Sequence, residues 1–126
     1  MENLEIIGLF SSILGRKYSI VNSLSFELQE VMNEIEVNIN SLYKEFNYCD
    51  YVVNSNIICY DFLDMVTLYQ ELDFMIKDLN TCMFFLPNDF RIEDSISNIY
   101  FIMKKIAEDD CVFRYCYNKG KNRILK

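Results

Sequence analysis

Between Ile58 and Leu79, apolar side chains recur in alternating steps of four and three: Ile58, Phe62, Met65, Tyr69, Leu72, Ile76 and Leu79. That spacing lines side chains up along one face of an α-helix. Val66, Leu68 and Met75 widen the stripe to about half the helix circumference, more than a seam between two helices needs. A helix apolar over so wide an arc has to be packed on more than one side. The segment is therefore expected at the centre of a helical bundle.

Two further stripes share the rhythm. Val21, Leu24, Leu28, Val31, Ile35, Asn38 and Leu42 predict a helix over 19–46, capped by Ser19 or Ser23. Met32, Ile39 and Phe46 broaden it on one flank, and Glu27 and Glu34 line the other. Such a helix is roughly 40 Å long. Asn38 stands where an apolar residue is expected. Either it fixes the register of a homodimer, as buried Asn does in coiled coils, or it lies at a frayed bundle end and bonds to water. Ile92, Ile96, Ile99, Met103 and Ile106 predict a helix over 89–107, begun by Asn88 or Asp89 after Pro87. Glu93 and Asp94 in its first turn and Lys104 and Lys105 in its last complement the helix dipole. A shorter helix is expected over 4–14. Ile6, Phe10 and Ile13 share its face, Ile7 and Leu14 lie beside it, and Gly15 is placed to end it. It lacks the Lys/Arg face of a membrane-surface helix, which favours folding onto the bundle.

One proline and three glycines leave few places for tight turns, so a few long helices are favoured over many short strands. The expected architecture is mainly α: a single domain over 1–126, a small bundle of four main helices with one of them long. Three connections are less regular. Over 48–59, β-branched residues around Asn54-Ser55-Asn56 fit a small hairpin, or a loop whose Asn56 caps the central helix; the loop is preferred because Ile58 fits the helical stripe. Over 80–88, Cys82-Met83-Phe84-Phe85-Leu86 is an apolar run where a connection is normally polar. It either plugs the end of the bundle or presents an aromatic patch to a partner. The basic tail, 111–126, fits a short terminal hairpin or an extended end.

The formal net charge of −7 argues against an anionic membrane surface or a nucleic-acid backbone as partner. The charge is also divided along the chain. Residues 1–100 hold sixteen acids and five bases, and residues 101–126 hold three acids and seven bases. Five cysteines (Cys49, Cys59, Cys82, Cys111 and Cys116) have no framework spacing, and Glu2 and Glu5 stand where a secretory signal is basic. Reduced, mostly buried thiols and a cytoplasmic location are the expectation. No apolar run approaches the ~20 residues of a membrane span. Heavy use of Phe, Tyr, Ile, Asn and Lys is the bias of an AT-rich genome, as in many viruses, mobile elements and low-GC bacteria.

The chain has no histidine, which removes Ser-His-Asp and Cys-His catalysis, mixed His/Cys zinc sites and the Glu-x-x-His pairs of helical di-iron sites. Cys111 and Cys116 are not a Cys-x-x-Cys pair, and neither a phosphate-binding glycine loop nor a dinucleotide fingerprint occurs. Glu30 and Glu34 are paired carboxylates, but nothing suggests a cleft around them, and solvated helix surface is their ordinary role. No enzyme, cofactor or metal is expected. What remains is surface. Glu27, Glu30 and Glu34 on the long helix, with Asp61, Asp64, Glu71 and Asp78 on the central one, form acidic ridges suited to a basic protein. Met83, Phe84 and Phe85 are the apolar alternative.

The leading expectation is a small intracellular inhibitor or neutralising protein of the immunity-protein, antitoxin or virus- or phage-encoded antagonist type. It would bind a basic protein without touching nucleic acid itself. A homo-oligomer paired through Asn38 is a second expectation. In size, helicity and composition the chain also resembles virus-encoded Bcl-2-like bundles, which implies an apolar groove for a partner helix. The Asn-Trp-Gly-Arg signature of the cellular family is missing, there is no Trp, and little chain follows Ile106 for that fold's later helices.

Overall fold

Apolar stripes too wide for one neighbour are resolved by giving each helix two. In the computed structural model, which describes residues 2–53, 56–59 and 63–109, α1 spans Glu2–Ile20, α2 Phe26–Asn47, α3 Met65–Phe85 and α4 Phe90–Asp109. A 3-10 turn, Val21–Ser23, joins α1 to α2. No strand occurs among the described residues. The protein is a small all-α bundle in which α1 packs on α2 and α3, and α4 packs on the same two.

The core is one continuous cluster. Phe10, Ile13 and Leu14 from α1 meet Met32, Ile35, Ile39 and Leu42 from α2. Leu68, Leu72, Met75 and Leu79 come from α3, and Ile92, Ile99 and Ile102 from α4. Burying a side chain of this size contributes about 1.5–3 kcal/mol, so the stripes dominate the energetics.

Pairs across the helices fix their directions. Phe10 lies beside Phe46 and Lys17 pairs with Glu36, so α1 and α2 are antiparallel. Ser12 bonds Asp78 and Arg16 bonds Glu71, so α1 and α3 are antiparallel too. Asn38 bonds Asp94 and Glu45 bonds Arg91, which sets α4 against α2. Consecutive α2 and α3 are therefore parallel and sit diagonally. Residues 48–64 must carry the chain back along the bundle, a climb of roughly 33 Å for a helix the length of α2.

That crossover is anchored at each stage. Tyr48 closes α2 in the left-handed conformation (φ 59°) and its N–H donates to the Lys44 carbonyl. The Tyr51 N–H donates to Asn40 Oδ1 at 2.8 Å, while its ring stacks on Tyr18 and meets Tyr43 edge-on. Ile57 passes over Gly15 of α1. At the far end the Leu63 N–H donates to Ser23 Oγ at 3.0 Å. Asp64 then caps α3, accepting from the Thr67 N–H and hydroxyl, both at 2.8 Å.

Several boundaries differ from the sequence expectation. α1 does not stop at Gly15 but continues to Ile20, because Lys17 and Ile20 extend its buried face. α2 starts after Ser25, its actual cap, and is 22 residues long rather than the 28 of 19–46. Ser23 serves the crossover, and Ser19 donates to the Arg16 carbonyl. α3 begins at Met65 rather than Ile58, which is 63% exposed in the crossover, and is capped by Asp64 rather than Asn56. Its C-terminus absorbs the supposed connection: Cys82, Met83, Phe84 and Phe85 form its last turn. Leu86, held out of helix by Pro87, ends it. α4 runs on to Asp109, so Lys104 and Lys105 lie before its last turn. Asn38 lies within α2 rather than at a frayed end, and bonds Asp94 across the α2–α4 seam at 3.2 Å. Of the described cysteines only Cys82 is buried, and Cys49 and Cys59 are exposed, against the expectation of mostly buried thiols. The expected terminal hairpin, with Cys111 and Cys116, lies outside the described residues.

Gly8 and Gly15 are both mid-helix, and neither has positive φ. A Cβ at Gly8 meets nothing within 4 Å, and one at Gly15 makes ordinary contact with Ile57 Cδ1 at 3.9 Å. Gly8→Ala and Gly15→Ala should each stabilise the protein by about 0.5–1 kcal/mol, read by urea unfolding. Destabilisation by Gly15→Ala would show that the crossover lies closer to α1 than described.

Candidate functional site

The polar residues of the bundle divide into those that join helices and those that do not. On the α1–α3 seam, Arg16 Nη1 donates to Glu71 Oε2 at 2.5 Å, and its guanidinium lies 4.7 Å from the Phe74 ring centroid. Asp78 accepts from Ser12 Oγ at 2.9 Å and stands 3.9 Å from Arg16 Nε. On the α1–α2 seam Lys17, almost fully buried, pairs with Glu36, which also accepts from the Tyr18 hydroxyl at 2.9 Å. Burial, followed by that carboxylate, pushes the Tyr18 hydroxyl up to about 12. On the α2–α4 seam Arg91 bridges Asp89, Glu45 and Ser41.

This sorting splits the ten residues read from the sequence as a partner surface. Glu71 and Asp78, expected on an open ridge, are joined to α1. Asp64 is exposed but occupied as a helix cap, and its hydrogen bonds from Thr67 lower its pKa. Asp61 lies outside the described residues. Met83 and Phe85 are half-buried against the core, while Phe84 is 87% exposed at the tip of α3. Glu27, Glu30 and Glu34 remain. All three are exposed, and none has a hydrogen-bond or ion-pair partner among the described residues.

Those glutamates do not stand alone. Phe26, Glu30, Asn33 and Val37 follow each other at steps of four, three and four up the solvent side of α2, opposite Leu28, Met32, Ile35, Ile39 and Leu42. Phe26 is 77% exposed and Val37 69%, large apolar groups set at the two ends of the acidic stretch. Glu27 and Glu34 flank them on the side facing α4, in register with Asn38 and Glu45, whose bonds cross to that helix. α4 presents Phe90 and Phe101 on its own open side, with Lys105 Nζ 5.7 Å from the Phe101 ring centroid. The apolar pair Phe26 and Val37 stands off the buried stripe of α2, so the periodicity that marks the core does not single it out. Their spacing with Glu30 on the opposite side of the wheel was the available signal.

Chemically this face can bind and steer. No group of His, Cys, Asp and Glu among the described residues is arranged to hold a metal. Burial, with Asp78 nearby, pushes the Cys82 thiol up to about 12, which leaves it without thiolate character. None of the described helices is long and apolar enough to cross a membrane. Comparison of the chain with family models, curated proteins and solved structures gives no match.

Two capping carboxylates couple the fold's stability to pH at the acid end. Hydrogen bonds from Thr67 hold Asp64, and the Arg91 side chain holds Asp89, below the usual carboxylate range. A depressed folded pKa means the native state binds the proton later than the unfolded chain, so this stabilisation is complete above about pH 4 and is lost as pH falls through the folded values. The melting temperature of Asp64→Asn/Asp89→Asn should therefore fall less steeply below pH 4 than that of the wild type. Parallel acid limbs in the two thermal titrations would show that these caps do not carry the dependence.

Proposed function

We propose that the protein is a non-enzymatic binding module that docks a basic protein on the outer face of α2 and its border with α4. The observation that supports this is the set of three exposed glutamates, Glu27, Glu30 and Glu34, without a partner among the described residues and framed by exposed Phe26 and Val37 on one helix. Glu71, Asp78, Glu36, Glu45, Asp89 and Asp64 are by contrast engaged with Arg16, Lys17, Arg91 or the α3 cap. Apolar anchors supply contact area and the carboxylates supply steering and register, the division of labour usual at protein interfaces. A helix packed against the core on its far side holds these groups in place before the partner arrives, so little ordering entropy is lost on binding. A small inhibitor or neutralising protein of the immunity, antitoxin or viral antagonist kind fits this description. A homo-oligomer paired through Asn38 is the second reading, although that side chain donates to Asp94 within the chain.

The test compares the unaltered chain with Glu27→Lys/Glu30→Lys/Glu34→Lys as baits in a lysate of the native host. A basic protein should be retained by the former and lost with the latter, and its association rate should fall as salt is raised, because exposed charges are screened beyond a Debye length of ~8 Å at physiological ionic strength. Circular dichroism should show the variant still folded, as all three positions face solvent. Equal retention at a salt-independent rate by a folded variant would overturn the proposal and move attention to Phe84 and its neighbours Met83 and Phe85.

A further inference from the structure

α4 carries an exposed face of its own. Ile92, Ile99, Ile102 and Ile106 turn into the core, while Glu93, Ser97, Tyr100 and Lys104 follow one another at steps of four, three and four along the opposite side. Phe90 and Phe101 flank that line. Phe90 is 72% exposed, Tyr100 54% and Phe101 39%, so three aromatic rings on one helix meet water. The charge on the line is divided, with Glu93 in the first turn of α4 and Lys104 towards its far end. The helix dipole favours that placement of acid and base, but it accounts for none of the exposed rings.

An acid at one end and a base at the other make a pattern complementary to its own reverse. A partner of a single charge sign is attracted by one half of the face and repelled by the other. A second copy of α4 laid antiparallel instead sets each Glu93 against the other copy's Lys104, and the two-fold symmetry makes that match twice. The axis then passes between Asn98 and Ile99, midway from Glu93 to Lys104. The small Ser97 of each copy lies close to it and lets the helices approach, with Tyr100 and Phe101 packing on either side. We propose that the protein pairs with a second copy of itself through the outer face of α4, antiparallel and in this register. The 20 residues of α4 extend about 30 Å. One helix face of that length offers less than the ~800 Å² per partner of a standard interface, so the pair is weak and reversible. This interface is distinct from docking of a basic protein on α2 and does not rest on it.

Sedimentation velocity on the full chain should show a dimer that gives way to monomer on dilution. The backbone amide resonances that move over the same dilution should be those of Glu93, Ser97, Tyr100, Phe101 and Lys104, with α1 unchanged, a readout that needs no variant. Glu93→Lys and Lys104→Glu should each weaken the dimer about tenfold, since one substitution turns two symmetry-related attractions into repulsions. An equimolar mixture of the two variants should recover it, as should the doubly reversed chain Glu93→Lys/Lys104→Glu, because both restore acid opposite base. A parallel pair, in which Glu93 faces its own copy, allows neither recovery. Both positions face solvent, and circular dichroism should show the variants still helical. A chain that is monomeric throughout, dilution shifts on another face, or no recovery with folded variants would each overturn the proposal. Glu93 and Lys104 lie off the α2 face, so this pairing and the capture of a basic protein fall separately.

Discussion

The bundle depends on one topological constraint: α2 and α3, adjacent in the chain, run in the same direction on opposite corners. Every helix then has antiparallel neighbours, an arrangement in which neighbouring dipoles oppose each other favourably and no two parallel helices lie side by side. The cost is a connection that must climb the bundle instead of turning at its end. The seventeen residues between α2 and α3 are a long connection for a domain this small, and ordering such a connection is entropically unfavourable. The loop is held by the Tyr51–Asn40 bond, the Tyr18, Tyr43 and Tyr51 rings, and the Leu63–Ser23 bond. Tyrosines suit the task because each covers apolar surface and still offers a hydroxyl to water or a partner.

The same constraint explains which parts of the fold were legible. The buried stripes of α2 and α4 were legible in their main positions, since a helix buried along one side has to repeat with the helix period, although Val21 and Leu24 precede α2 and Ile102 was not foreseen. Leu28, Ile35 and Leu42 are buried as expected, as are Ile92, Ile99 and Ile106. The start of α3 was misplaced because Ile58 extends the rhythm by chance; periodicity reports what a helix would bury, not where the chain begins to coil. Gly15 misled in the opposite sense. A helix packed on two sides tolerates a glycine whose cost is about 1 kcal/mol, because the buried side chains beyond it contribute more.

The acidic residues were harder to read, and for a different reason. On a helical wheel Glu71 and Asp78 look like solvent-facing charges. Whether a carboxylate at the edge of a buried stripe meets water or a cation depends on the neighbouring helix, and α1 had been cut short before Arg16 and Lys17. Once α1 is extended, its two cations lie in the two seams it forms, one towards α3 and one towards α2. Arg16 and Lys17 differ by one position, about 100° on the wheel, which is what placing one in each groove requires. Each such pair lies partly exposed and adds little net stability, yet a mispaired bundle would leave Lys17 buried without its carboxylate, a far larger penalty. The seams therefore specify which helix lies beside which more than they hold the helices together.

That division leaves α2 in a particular position. Its α1-facing edge is closed by Lys17, Tyr18 and the crossover, and its α4-facing edge near the C-terminus is closed by Arg91. Its N-terminal half, from Phe26 to Val37, has no such closure. On its solvent side Glu27, Glu30 and Glu34 meet no cation among the described residues, and Phe26 and Val37 beside them are exposed. Glutamates near a helix N-terminus are favoured by the dipole, which accounts for Glu27 but weakens within a turn and does not account for Glu34. Unpaired charge of one sign next to exposed aromatic surface adds nothing to folding, since the charges repel one another and Phe26 gains nothing from water. Folding therefore does not account for this face, and its carboxylates with exposed Phe26 and Val37 are the ground on which the proposed docking rests.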